Sequence, residues 1–92
     1  MTKGIKKLVL DVLKLHKPVL TEIALGLSEL DGVEGVNIIS LTVDRETETI
    51  KITLEGNLDY EAIRKNLTEN SCSIHSIDLV CAGSRIIEQG KI

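Results

Sequence analysis

The sequence predicts an α+β fold of six elements in the order β-α-β-β-α-β, and three observations carry that expectation. Runs rich in Ile, Val and Leu occur at residues 5–16, 36–43, 50–55 and 73–81. Two other segments, 18–30 and 59–70, repeat apolar residues at three- and four-residue steps, the spacing of a helix with one buried face. Glycines and short polar stretches fall between these segments, where turns are needed.

The first strand is expected over 5–16, ending before Pro18, whose fixed φ suits the first turn of a helix. Leu20, Ile23, Ala24, Leu27 and Leu30 then mark the buried stripe of the first helix. Asp31-Gly32 and Glu34-Gly35 break the chain before a second strand over 36–43. In the third strand, apolar Ile50, Ile52 and Leu54 alternate with Lys51, Thr53 and Glu55, the period of a strand with one buried face. The polar segment 44–48 between these strands is short enough for a hairpin. Asp59 is a good N-cap for the second helix, with Tyr60, Ile63 and Leu67 facing inward. Leu58 and Ile63 flank that cap at the positions of a hydrophobic staple. The fourth strand covers 73–81, and residues 85–92 form a tail.

Each half is thus a β-α-β unit, and right-handed crossovers place both helices on the same side of the sheet. The expectation is a ferredoxin-like βαββαβ sandwich: a four-stranded antiparallel sheet of order 4-1-3-2 with two helices on one face. A chain of 92 residues supplies one core, so residues 1–84 are read as a single domain and 85–92 as a C-terminal tail. That core has to be aliphatic, since Phe and Trp are absent and Tyr60 is the single aromatic residue.

The face without helices should be polar, as Lys51, Thr53 and Glu55 are. The first strand breaks this rule, because Leu8, Leu10 and Val12 lie on one face and Val9 and Leu13 on the other. Strand four is expected to add Val80 to the same side as Asp78. A strand apolar on both faces calls for a partner, and the simplest is another copy of the chain. Ile86 and Ile87, beside an edge strand, are placed to pair across subunits.

Composition excludes several classes. A net charge of -3 and the lack of aromatic stacking platforms argue against nucleic acid. The basic start, Lys3 to Lys7, is followed by Asp11 and Lys14, which interrupt a signal-peptide apolar region, and no apolar run approaches the ~20 residues that span a bilayer. Cys72 and Cys81 match no CxxC pattern and lie too far apart along one strand for a disulfide. A cytoplasmic protein with reduced thiols is expected. There is no nucleophile elbow, Walker loop or dinucleotide glycine triad, and no sign of an activated Cys72 thiolate, so the chain is not read as an enzyme.

The candidate chemistry is acidic. If strands one and four pair with residue numbers summing to about 89, Val9 meets Val80 and Asp11 meets Asp78. Two opposed carboxylates repel, and a hard divalent cation, calcium or magnesium, would neutralise them, with Thr53 or Glu55 within reach. The alternative is an ion pair with Lys7 or Lys51, or simple solvation. A second acidic group, Asp44, Glu46 and Glu48, lacks the alternating oxygens and turn glycine of an EF-hand and reads as a solvated turn, or as a weak calcium contact shared with another subunit. His16, Cys72 and His75 gather near one end of the sheet. They fall short of the four ligands of structural zinc, and Cys72 and His75 face opposite sides.

Residues 8–18 (LVLDVLKLHKP), 32–38 (GVEGVNI), 43–48 (VDRETE), 52–56 (ITLEG) and 74–78 (IHSID) together resemble an archaeal family known as domain of unknown function 211. The resemblance runs over nearly the whole chain. It implies a ferredoxin-like subunit, a ring-like homo-oligomer, an association with divalent cations such as calcium, and no established reaction. The chain departs from the family pattern at Leu79, where an acidic residue is usual, so no ligand role carries over to that position. Two functions from different classes follow. One is a non-catalytic self-assembling domain that binds a divalent cation. The other is a regulatory module holding a small molecule at a subunit interface, which rests on fold analogy alone.

Overall fold

The computed structural model describes residues 4–88. They form β1 (Gly4–Leu15), α1 (Leu20–Ser28), β2 (Val33–Val43), β3 (Thr47–Leu58), α2 (Tyr60–Glu69) and β4 (Cys72–Gly83). The four strands make one sheet of order β2-β3-β1-β4 with every neighbouring pair antiparallel. This is the expected order, and the strands run longer than the apolar runs alone indicated. β2 and β3 extend each other toward the turn, where the Asp44 amide donates to the Thr47 carbonyl at 2.8 Å.

One face of the sheet holds the core. Leu8, Leu10 and Val12 of β1 lie beside Ile50, Ile52 and Leu54 of β3, and the helices cover them with Ile23, Leu27, Ile63 and Leu67. All ten side chains are within one percent of full burial, each stabilising the fold by about 1.5–3 kcal/mol relative to exposure. Period two in the strands and the three-to-four step in the helices therefore converge on a single layer.

Local chemistry fixes the ends of the elements. The Asp59 carboxylate accepts from the Ala62 amide at 3.2 Å, capping α2 as expected. Leu58 and Ile63 both enter the core beside that cap. At the start of α1 the Glu22 side chain accepts from the Val19 amide at 3.3 Å, satisfying a backbone donor left over at the helix start. Where α1 gives way to β2, Gly32 sits at φ +89° with its carbonyl accepting from the Asn57 amide at 2.8 Å. A Cβ on Gly32 would lie 2.1 Å from the Asn57 carbonyl oxygen, so only glycine fits there.

The pairing of β1 with β4 differs from the expected register. Leu8 pairs Val80 and Val9 pairs Leu79, but Leu10 pairs Ile77, Asp11 pairs Ser76 and Val12 pairs Ile74. Asp78 and His75 are each passed over, so each is the extra residue of a β-bulge. Asp11 is therefore opposite Ser76 and not Asp78, and Val9 is opposite Leu79 and not Val80. Val80, paired with Leu8, belongs to the helix-bearing face and not to the side of Asp78. It is nevertheless 51% exposed, on the edge strand of the sheet.

Candidate functional site

The face turned away from the helices is built from rows that run across all four strands. Gly35, Glu55, Lys7 and Cys81 form one row, and Asn37, Thr53, Val9 and Leu79 the next. Then come Ile39, Lys51, Asp11 and Ser76, followed by Thr42, Thr49, Leu13 and Ser73. Polar groups dominate β3, as the sequence implies. Val9 is half-buried between Thr53 and Leu79, while Leu13 is 44% and Ile39 53% exposed. Leu15, further along β1 opposite Thr47, is 51% exposed.

Asp11 is at the centre of this face. Its Oδ1 is enclosed and has no hydrogen-bond partner among the described residues. Buried polar oxygens are nearly always paired, so this atom stands out. Beside it is a hollow of about 310 Å³ lined by Asp11, Leu13, Thr49 and His75. Lys51 is the cross-strand neighbour of Asp11, yet its ammonium donates to Asp78 Oδ2 at 3.1 Å. The Ser76 hydroxyl donates to Asp78 Oδ1 at 2.7 Å. These two donors, Ser76 first, hold the Asp78 carboxyl below the usual aspartate range. The bulge at Asp78 is what swings this carboxylate toward Lys51.

The other acidic candidates lie elsewhere. Glu55 is 3.5 Å from the Lys7 ammonium, which also pairs with Glu88 of the tail. That pairing with Glu88, and then with Glu55, raises the Lys7 pKa. Glu48 lies at the far end of β3, with Oε1 3.3 Å from Lys14 Nζ and Oε2 2.8 Å from His16 Nδ1. Hydrogen bonding to His16 first, and to Lys14, keeps the Glu48 carboxyl below its ordinary range. Asp44 opens the turn through its backbone amide. The structure thus spreads Asp11 and Asp78, Glu55, and Asp44 and Glu48 over three places. Among the described residues, no three His, Cys, Asp or Glu side chains gather in the manner of a metal cage.

Sequence reasoning placed His16 near Cys72, whereas the imidazole turns to Glu48 and the Arg45 carbonyl. It also missed Lys14, which is 1% exposed and completes the series Leu8, Leu10, Val12, Lys14 along the core face. That even-numbered position was the available signal. Both cysteines are free and buried. Cys72 pairs Lys14 on the helix-bearing face, where burial raises its thiol pKa. Cys81 lies in the row of Lys7 on the other face, its Sγ donating to the Ile87 carbonyl at 3.3 Å. The tail through Glu88 therefore covers one end of the helix-free face, and residues 89–92 lie outside the described residues. No helix among the described residues is long and apolar enough to cross a membrane.

A family model described as uncharacterized ArCR, domain of unknown function 211, matches residues 6–92. An uncharacterized protein of Methanocaldococcus jannaschii is 47% identical over 87 residues, covering 94% of this chain and 90% of that protein. A match of this extent and identity is shared descent over the whole fold, and the chain belongs to the uncharacterized ArCR family, domain of unknown function 211.

Proposed function

We propose that this chain is a non-catalytic domain that assembles with copies of itself through the helix-free face of its sheet, and that the assembled face binds a divalent cation at Asp11 and Asp78. The observation that carries the assembly is the exposure of Leu13, Leu15 and Ile39 on that face, at 44%, 51% and 53%. Apolar groups clustered on a sheet face favour association because removing them from water stabilises by roughly 25 cal/mol per Å². The ring-like homo-oligomer implied by the family resemblance would supply that cover. Two free, buried thiols suit a reducing compartment such as the cytoplasm.

The cation reading is favoured by one specific feature, the unpartnered Oδ1 of Asp11. Calcium or magnesium takes carboxylate oxygens readily, and a closing interface would strengthen the attraction by excluding water. Lys51 is the built-in competitor for Asp78. The remaining candidates are engaged elsewhere, Glu48 by Lys14 and His16 and Glu55 by Lys7.

Light scattering tests the assembly: Leu13→Lys should yield monomers where the native chain yields oligomers. Isothermal titration with calcium and magnesium tests the ion. Asp11→Asn and Asp78→Ala should lose the binding heat, and unchanged heats in both would remove these residues from the reading.

A further inference from the structure

The end of β1 and the turn between β2 and β3 are joined by His16. Its Nδ1 lies 2.8 Å from Glu48 Oε2, and its Nε2 lies 2.8 Å from the Arg45 carbonyl oxygen. Both partners are acceptors. A carbonyl oxygen never donates, and the Glu48 carboxyl is held in its ionised form by the cations beside it. A neutral imidazole has one N–H and one lone pair, so it would satisfy one partner and turn a lone pair on the other. Only the imidazolium donates to both.

The surroundings sustain that charge. Lys14 approaches from the same strand, its buried ammonium bonded to Glu48 Oε1 at 3.3 Å and to the His16 carbonyl at 3.2 Å. Glu48 from β3 therefore faces two cations, one on each oxygen. From the turn, Arg45 presents its carbonyl and Asp44 its backbone, both favouring the protonated ring. Lys17 follows His16 in the chain, and Glu46 completes the turn. On β4 the neighbour of Lys14 is Cys72, whose burial keeps the thiol neutral. Partial burial of the ring opposes the imidazolium, and Glu48 lies between it and the Lys14 ammonium.

We propose that His16 is a proton-operated latch: as the imidazolium it fastens the Asp44–Thr47 turn to the end of β1, and loss of one ring proton releases that turn. The Glu48 hydrogen bond, and after it the Arg45 carbonyl, raise the folded pKa of His16 above the ordinary histidine value. A group shifted in this direction contributes fully below its unfolded pKa, and the contribution is lost as pH rises through the folded value. The latch is thus closed below the ordinary histidine value and opens as pH rises through the higher folded value. The released segment adjoins Val43, already 63% exposed at the end of β2. The sheet itself persists, because Lys14 still holds Glu48. The latch operates within one chain and does not depend on assembly.

Nitrogen-detected imidazole spectra of the full chain, recorded across pH, read the proton directly, and hydrogen exchange of the Asp44 amide reads the turn. Below the ordinary histidine value both His16 ring nitrogens should carry protons, with a titration midpoint above that value. Across that midpoint the protection factor of Asp44 should fall severalfold. His16→Gln, at a half-exposed position, should show the lower protection at every pH, and Glu48→Gln should move the His16 midpoint downward. A His16 that is a neutral tautomer below the ordinary histidine value, or an Asp44 protection factor that stays constant through the titration, would overturn the latch.

Discussion

Lys51 Nζ lies 3.1 Å from Asp78 Oδ2, although Lys51 is directly opposite Asp11 in the pairing of β1 with β3. One ammonium serves two carboxylates unequally, and the bulge at Asp78 decides which one receives it. The consequence is a satisfied Asp78 and an Asp11 whose Oδ1 has no partner among the described residues.

Removing that ammonium should convert the pair into a better cation site. In Lys51→Ala the calcium affinity should rise severalfold, because the cation that competes for Asp78 is removed. Titration calorimetry checks this, and an unchanged or weaker affinity would take Asp78 out of the site.

Ser76 is the larger influence on the Asp78 carboxyl. Because the folded pKa is depressed, the contribution of Asp78 to stability is present above its unfolded pKa and disappears as pH falls through the folded one. Ser76→Ala should raise the Asp78 pKa toward the ordinary aspartate value and narrow that acid window. Carbon-detected carboxyl titrations and melting temperatures between pH 2 and pH 5 check the direction.

Gly32→Ala should destabilise the fold by at least about 2 kcal/mol, through the strain of a positive φ and the collision of the new Cβ with the Asn57 carbonyl. Denaturant unfolding measures the loss. An alanine accommodated at no cost would show that the approach of Gly32 to Asn57 is looser than described.

Leu27, fully buried in the last turn of α1, should cost about 2–5 kcal/mol on truncation to alanine. By contrast, Leu25 on the same helix is 65% exposed, and Leu25→Ala should leave the unfolding midpoint nearly unchanged. The contrast tests the assignment of the buried stripe by equilibrium unfolding.

Most of the architecture was legible because local chemistry and global packing agree. The alternation around Ile50, Ile52 and Leu54, the helical steps around Ile23 and Leu27, and the Asp59 cap each point to the element that forms. The register of β4 was not, since a simple antiparallel ladder assumes unbroken period two. The sequence does hold a trace of the bulges: Ile74, Ile77 and Val80 recur at three-residue steps, which a strand can place on one face only by absorbing one extra residue each time. They pair Val12, Leu10 and Leu8 in that way. Reading that spacing as bulged would have moved Asp78 away from Asp11 and shifted Val80 to the helix side.

The His16 cluster illustrates a different limit. Position 14 was missed although it follows Leu8, Leu10 and Val12 on the core face, and a lysine there carries no label for its partner. Glu48 becomes that partner only through the pairing of Lys14 with Glu48 across β1 and β3. Such contacts depend on tertiary register, which residue spacing within either strand does not encode.

The central claim is that the helix-free face, with Leu13, Leu15 and Ile39 in water, is an assembly surface. Light scattering of the purified chain at micromolar concentration tests it most directly. The expected result is a mass several times the 10.1 kDa of one chain, collapsing to a single copy in Leu13→Lys. A native chain that scatters as one copy under these conditions would contradict the claim.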